Sequence, residues 1–329
     1  MEPQIARLNQ TLLAYLRQQL NDDQITYQSK PAQVHGGFET LIYRFQLKGA
    51  PDELSQPLVL RLYPEWYGSS NAIWESTIQN VLKDAAFPVA KAYFLCTDQT
   101  VLGGAFFIMD YLPGKPMVMA PIESVPVLLG KNHALLHQIN PDPLASAIHD
   151  AGIDRSELFA RQRFENFKKR ASEFPWLQQA VEWLADNRPA EPNQLSICHG
   201  DYHPLNILVE NGEVTGVLDW SGFLIGDPAF DIGNTLVLIT IPYKYVAPTL
   251  GFDFSNVDFH KVAEIYLQAY QSEKSLDRAH LDYYRVNRCT NALMEGAQGQ
   301  PVWQHPLIVR ELRQYIHSIT GLSITLPKP

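Results

Sequence analysis

The sequence predicts an α+β fold in two lobes, a small antiparallel β-sheet with its helix over residues 1–111 and a mainly helical lobe over residues 112–329. Three observations predict it. Short segments of strand character crowd the first third, at 25–34, 41–47, 58–63, 93–95 and 105–109. Beyond Gly130 the apolar residues recur mostly at helical spacing. Between the two regimes, Asp110-Tyr111-Leu112-Pro113-Gly114 breaks the pattern with a turn signal.

Taken in order, residues 1–20 place Ile5, Leu8, Leu12, Leu16 and Leu20 on one helical face. Arg7 and Arg17 interrupt that pattern, so it lacks the continuous apolar core of a signal peptide. The strands at 25–34 and 41–47 are joined across His35-Gly36-Gly37-Phe38-Glu39-Thr40, where glycines let backbone N–H groups approach a phosphate or simply close a hairpin. The third strand, Leu58-Val59-Leu60-Arg61-Leu62-Tyr63, ends at Pro64. An arginine among apolar strand neighbours needs one specific partner. A helix over 71–86, spaced by Ile73, Ile78, Val81 and Leu82, carries Glu75. Leu135-Leu136-His137 lies in a helical pattern, with His137 a core residue. Leu158, Phe164, Phe167, Trp176, Leu177, Val181 and Leu184 build a helical insertion over 154–187. Helices follow over 232–239, 259–270, 281–293 and 307–319.

The totals narrow the function. With 329 residues, 46% hydrophobic and 19% charged, the chain has material for a substantial core and not for wholesale disorder. A formal net charge of −9 and the absence of basic runs argue against nucleic acid as a partner. No apolar run approaches the ~20 residues that span a bilayer, which argues against a membrane partner. Cys96, Cys198 and Cys289 form no C-x-x-C pair, which suits a reducing, cytoplasmic location.

The chemistry concentrates between Ile197 and Asp231. His199-Gly200-Asp201 has the H-x-D form of a phosphoryl-transfer catalytic loop, with Asn206 five residues after the acid. A carboxylate and a metal-binding amide at that spacing converge on one cleft. Ile207-Leu208-Val209, the turn Asn211-Gly212 and Val214 to Leu218 read as a β-hairpin that delivers Asp219, followed by Trp220-Ser221-Gly222. His199 and His203 cannot share a helix face across Gly200, which argues against zinc. Cys198 reads as a buried, inert thiol. Asp227 and Asp231, on either side of Pro228, read as acids capping the first turn of a helix.

In order, H-G-D-x-x-x-x-N, then V-L-D-W at 217–220, then G-D-P-x-x-D at 226–231, the chain resembles the aminoglycoside phosphotransferase and choline kinase-like family of small-molecule kinases. The resemblance is strongest over 197–234 and weaker over 30–140. It implies a protein kinase-like fold with the site between the lobes, and Mg²⁺-dependent transfer of the γ-phosphoryl of ATP or GTP to a hydroxyl of a small-molecule acceptor. Asp201 would align the hydroxyl and accept its proton, while Asn206 and Asp219 would hold Mg²⁺. The Gly36-Gly37 backbone and Arg61, paired with Glu75, would hold the phosphates. The Asp110 carbonyl and the Leu112 N–H would meet the purine edge. His199 would orient the loop from within.

The chain departs from the family at Arg61, where a lysine is usual, and at Glu39-Thr40 after the glycines. Those departures suggest the second reading, a nucleotide-binding module without turnover, against which Asp201, Asn206 and Asp219 all stand in place. A protein kinase is disfavoured because no A-P-E follows Asp219. From His199 to His260 the lone Lys or Arg is Lys244, against eight acids, so cationic or neutral acceptors are expected.

Overall fold

A computed structural model describes residues 2–34, 40–246 and 251–327. The chain divides into two compact units: residues 1–114 with 146–153 and 215–217, and residues 115–145 with 154–214 and 218–329.

The first unit is built on helix α1 (Glu2–Leu20) and strands β1 (Thr26–Gln33), β2 (Leu41–Lys48), β3 (Leu58–Leu62), β4 (Ala92–Cys96) and β5 (Phe106–Asp110), with helix α2 (Ser70–Asp84) between β3 and β4. The strands form one sheet in the order β1-β2-β3-β5-β4, antiparallel throughout. Period-two alternation sets the face of β2: Tyr43, Phe45 and Leu47 are buried while Arg44 and Lys48, on the other face, are exposed. Leu12 and Leu16 of α1, both fully buried, join those residues and Leu58, Leu60 and Phe106 in a single core. β1 lies at the sheet edge, where Pro31 is tolerated and its pairing with β2 slips twice.

The second unit opens with β6 (Lys115–Pro116), then α3 (Val125–Gln138); α4 (Asp142–Asp150) follows in the chain, its residues from 146 on counted with the first unit. After α5 (Ala160–Ala171) and α6 (Gln178–Asp186) come β7 (Ser196–Cys198), β8 (Ile207–Glu210), β9 (Glu213–Val217), whose residues 215–217 count with the first unit, and β10 (Leu224–Gly226). The chain ends in α7 (Pro228–Thr240), α8 (Tyr243–Val246), α9 (Phe259–Glu273), α10 (Leu281–Ala297), α11 (Pro301–Gln304) and α12 (Pro306–Thr320). β7 pairs with β10, three residues each and all buried, which brings Cys198 opposite Leu224. β8 and β9 flank Asn211 (φ 53°) and Gly212 (φ 83°), the left-handed pair that a two-residue hairpin turn requires.

α7 is mostly apolar and buried on all sides from Asp231 to Thr240. Such a helix belongs inside. Its start is fixed by Asp227, whose Oδ1 accepts the Ala229 N–H at 2.8 Å, and by Pro228 in the first turn. A second core gathers Phe164, Leu177, Leu184, Val286, Leu293 and Leu312 from α5, α6, α10 and α12 with their neighbours. Among the described residues no helix is long and apolar enough to cross a membrane. All three cysteines are buried free thiols, and burial pushes the Cys198 thiol well up.

Candidate functional site

In the first unit the candidate residues gather on β3, α2 and the end of β5. Arg61 lies opposite Ile42 on β2 and Phe107 on β5. Its Nη2 meets Glu75 Oε1 at 2.9 Å, and its Nε donates to the Tyr63 hydroxyl at 3.1 Å. Only 13% of the Arg61 side chain and 2% of Glu75 are exposed, so the strand arginine has the specific partner its setting demands. Burial, and then the Glu75 charge, hold the Tyr63 phenol protonated against the opposing pull of Arg61. One network therefore fixes the Arg61 fork to the sheet and to the helix.

The Asp110 side chain has a local job. Its carboxylate accepts the Lys91 N–H at 3.0 Å and the Tyr93 hydroxyl at 2.7 Å, and its own N–H donates to the Lys91 carbonyl at 3.1 Å. These bonds tie the end of β5 to β4. Among the described residues the Leu112 N–H has no protein acceptor. The Leu112 side chain packs over Gly216, where an added Cβ would come within 2.5 Å of Leu112 Cδ1. Gly36 and Gly37 lie outside the described residues.

In the second unit the loop after β7 carries Asp201 and Asn206. Asn206 Nδ2 donates to the Asp201 carbonyl at 3.0 Å and to Asp201 Oδ2 at 3.1 Å. The amide nitrogen is thus committed inward, and among the described residues no donor reaches Asn206 Oδ1. His203 Nε2 stands 3.3 Å from Asp201 Oδ2, and its Nδ1 stands 3.2 Å from the Tyr243 hydroxyl. Burial would raise the Asp201 carboxyl, but His203, Arg288 and His199 together hold it below the usual carboxylate range. It is an anion at neutral pH, still 44% exposed along its side chain.

Asp219 follows β9 in a left-handed conformation, φ 61° and ψ 72°. A non-glycine residue there is held by its surroundings at some cost. Ser221 Oγ donates to Asp219 Oδ1 at 3.0 Å. A hard divalent cation such as Mg²⁺ suits oxygen donors of these two kinds, an amide and a carboxylate.

His199 organises the loop internally. Its Nδ1 accepts the Asp201 N–H at 3.2 Å, so the proton sits on Nε2 and donates to the Leu218 carbonyl at 2.9 Å. Burial lowers its proton affinity and keeps the ring neutral. Gly200 adopts φ 85°, and a Cβ there would lie 2.4 Å from the Gly222 carbonyl oxygen. Glycine is required twice over at that position.

Asp231 departs from the expectation of a first-turn cap. Asp227 alone does that work; Asp231 is fully buried, its Oδ2 accepting the His199 N–H at 2.5 Å and its Oδ1 the Gly200 N–H at 2.8 Å. His133 and His137, one helical turn apart on α3, reach the same Oδ2 through their Nε2 atoms at 2.9 and 3.3 Å. Their Nδ1 atoms meet the hydroxyls of Tyr266 and Tyr270 on α9 at 2.8 and 2.9 Å. Burial acts to raise the Asp231 carboxyl, yet the two histidines hold it well below its ordinary value. Among the described residues this is the one grouping with the spacing of metal ligands, and its ligand atoms are all hydrogen-bonded already. The i,i+4 histidine pair was the sequence signal for it. His137 is a core residue as expected, but a polar one with an assigned partner.

Comparison with known proteins follows the same residues. A family model described as the phosphotransferase enzyme family matches residues 31–282. Human acyl-CoA dehydrogenase family member 11 is 28% identical over 171 residues, 49% of this chain but 22% of that protein, so the match spans about a fifth of such relatives. The uncharacterized protein YcbJ of Bacillus subtilis is 51% identical over 51 residues, 15% of this chain and 16% of that protein. A crystal structure of a putative aminoglycoside phosphotransferase from Ralstonia eutropha JMP134 superposes with a TM-score of 0.61 at 18% identity, covering 93% of this chain and 94% of that one. A thermostable mutant of aminoglycoside phosphotransferase APH(4)-Ia, solved in ternary complex with AMP-PNP and hygromycin B, gives 0.58 at 15% identity over 95% and 99%. The fold is that of these proteins, a β-sheet N-terminal region and a helical C-terminal part in a kinase-like arrangement.

Proposed function

The chain belongs to the phosphotransferase enzyme family, and from that premise we propose that it moves the γ-phosphoryl of ATP or GTP to a hydroxyl of a small molecule. The observation that carries the reading is the Asp201 carboxylate, kept anionic and bonded to Asn206 on a loop whose backbone is pinned by Asp231. In this reading residues 1–111 hold the nucleotide and residues 112–329 supply the catalytic loop and the acceptor site.

Asp201 accepts a hydrogen bond from the acceptor hydroxyl and aims its oxygen lone pair at the γ-phosphorus. As the new P–O bond forms and the bond to the β-phosphate oxygen breaks, Asp201 takes the hydroxyl proton. Asn206 Oδ1 and the Asp219 carboxylate would hold Mg²⁺, which when bound supplies charge neutralisation at the phosphates. Arg61, fixed by Glu75, presents its guanidinium to the α- and β-phosphates, and the Asp110 carbonyl and Leu112 N–H serve the purine edge. Positioning and charge suffice for a loose transition state, with no covalent intermediate on the protein.

The test is a Mg²⁺-dependent nucleotide-consumption screen of the purified protein against hydroxylated metabolites and aminoglycosides, with Asp201→Asn beside it. We expect the variant to lose transfer while nucleotide affinity stays within a few-fold, since an amide keeps the shape and cannot take the proton. Retained turnover removes Asp201 from this role. Mg²⁺-nucleotide binding without turnover on any acceptor favours the second reading, a binding module, to which the arginine at position 61 lends support.

A further inference from the structure

Within the second unit a cleft of about 640 Å³ opens between α7, α8, α9, α10 and α12. A volume of that size holds a small organic molecule. Asp201, Asn206 and Asp219 do not line it. Leu236, Ile241, Leu267 and Leu281, all buried, supply apolar wall. With them, among the described residues, stand four cations, Lys244, Arg278, Arg285 and Arg310, and three acids, Glu264, Asp282 and Glu311. The acids are already engaged. Glu311 takes Lys244 at 2.7 Å and the Tyr245 hydroxyl, Glu264 takes Arg278 at 3.5 Å, and Asp282 Oδ1 accepts the Tyr315 hydroxyl at 2.7 Å. Two guanidinium groups are left over. Arg285 lies over the Tyr315 ring, 4.1 Å from its centre, and Asp282 Oδ1 stands 3.9 Å from its Nη1, beyond hydrogen-bond reach. The buried Nε of Arg285 meets no acceptor either. Arg310 is exposed beside the Tyr245 hydroxyl and forms no ion pair among the described residues.

We propose that this cleft is a second ligand site, taking a small organic anion whose phosphate or carboxylate head is held by Arg285, with Arg310 adding positive charge, and whose uncharged body covers the leucines and Ile241. A planar guanidinium with unbonded donors binds such a head through two parallel hydrogen bonds. Its stacking on Tyr315 fixes the fork before any ligand arrives, so little side-chain freedom is lost on binding. A cation finds no acid in these walls without a partner. A bare inorganic anion leaves the apolar wall in water and gains nothing from it. The Lys244–Glu311 pair sets a further condition, because it holds one cation of the wall away from the ligand.

The experiment is calorimetric titration of the purified full chain, without nucleotide or Mg²⁺, with phenyl phosphate, benzoate, inorganic phosphate, neutral benzamide and cationic benzylamine. Phenyl phosphate should bind most tightly, about tenfold or more above inorganic phosphate and benzamide. Benzoate binding as well as phenyl phosphate would identify the head as a carboxylate within the same site. Arg285→Met should weaken phenyl phosphate by about tenfold. Arg310→Gln, at an exposed position, should weaken it by about threefold through charge alone, so an Arg285 variant that fails to fold does not decide the matter. Glu311→Gln frees Lys244 and removes an acid, and should tighten binding of the anions while weakening benzylamine. Lys131→Met, exposed on α3 and outside the cleft, should change nothing. Equal binding of all five probes, preference for benzylamine, or a phenyl phosphate affinity indifferent to Arg310→Gln and Glu311→Gln overturns the site. With neither nucleotide nor acceptor present, these results stand apart from the success or failure of phosphoryl transfer.

Discussion

Arg61 and Glu75 hold each other in a setting where either alone would be a poorly solvated charge, 13% and 2% exposed. Arginine keeps its charge at every accessible pH and offers a planar fork where the family pattern has the point charge of lysine. With Nε committed to Tyr63 and Nη2 to Glu75, the fork's orientation is set by two neighbours that a lysine could not satisfy together. Arg61→Lys is therefore expected to lower turnover by about tenfold, a cost of about 1.4 kcal/mol, with Arg61→Met weakening nucleotide binding and transfer together. Steady-state kinetics and calorimetric nucleotide titration check both. A rise in turnover with lysine would mark the position as decayed. His133 adds a pH dependence of another kind: burial first, and then the neighbouring His137, lower its pKa from 6.5 to about 4, against the pull of Asp231. Between those values the unfolded chain binds a proton that the folded chain refuses, so stability falls as the pH drops through that window, by on the order of 3 kcal/mol. Asp231 adds its own loss only at lower pH, below the ordinary carboxylate range, because its folded value is depressed. Urea midpoints from pH 7 to pH 4 should show the fall, and His133→Gln should flatten it.

Among the elements, legibility followed pattern. β2 and α9, α10 and α12 declare themselves by alternation or by a helical stripe, and they run at Leu41–Lys48, Phe259–Glu273, Leu281–Ala297 and Pro306–Thr320, close to the predicted spans. β7 and β10 do not, because three-residue strands buried on both faces carry no alternation to read. α4 sits in a stretch with neither a long stripe nor a strong cap. At the candidate site, the residue types of the loop after β7 were visible in sequence and the means of holding it were not. The carboxylate under His199 and Gly200 comes from α7, 32 and 31 residues away, and local spacing says nothing of such a contact. Gly200 was visible as part of a motif, whereas its cause is a carbonyl of Gly222 and a left-handed backbone. Gly200→Ala is therefore expected to destabilise by about 2 kcal/mol or more from backbone strain and the clash together. Activity should drop beyond what the unfolded fraction explains. Thermal denaturation and turnover of the folded variant separate the two.

For the molecule as a whole, the two units are interleaved along the chain, since residues 146–153 and 215–217 count with the first unit although the second surrounds them in sequence. No single cut of the chain therefore releases either unit intact. Each has its own apolar core, one built on the sheet with α1 and the other on α5, α6, α10 and α12. The family match, residues 31–282, takes in parts of both. The Asp231 carboxylate has a consequence in time as well as in space. A loop that carries chemistry usually opens to solvent on its own, at a small fraction of the global stability. Here two consecutive loop amides end on a side chain of the most deeply buried helix, so solvent reaches them only when that helix lets go. In amide hydrogen exchange, His199 and Gly200 should then exchange as slowly as the interior amides of α7 and at a common rate, and Asp231→Asn should speed the loop amides first.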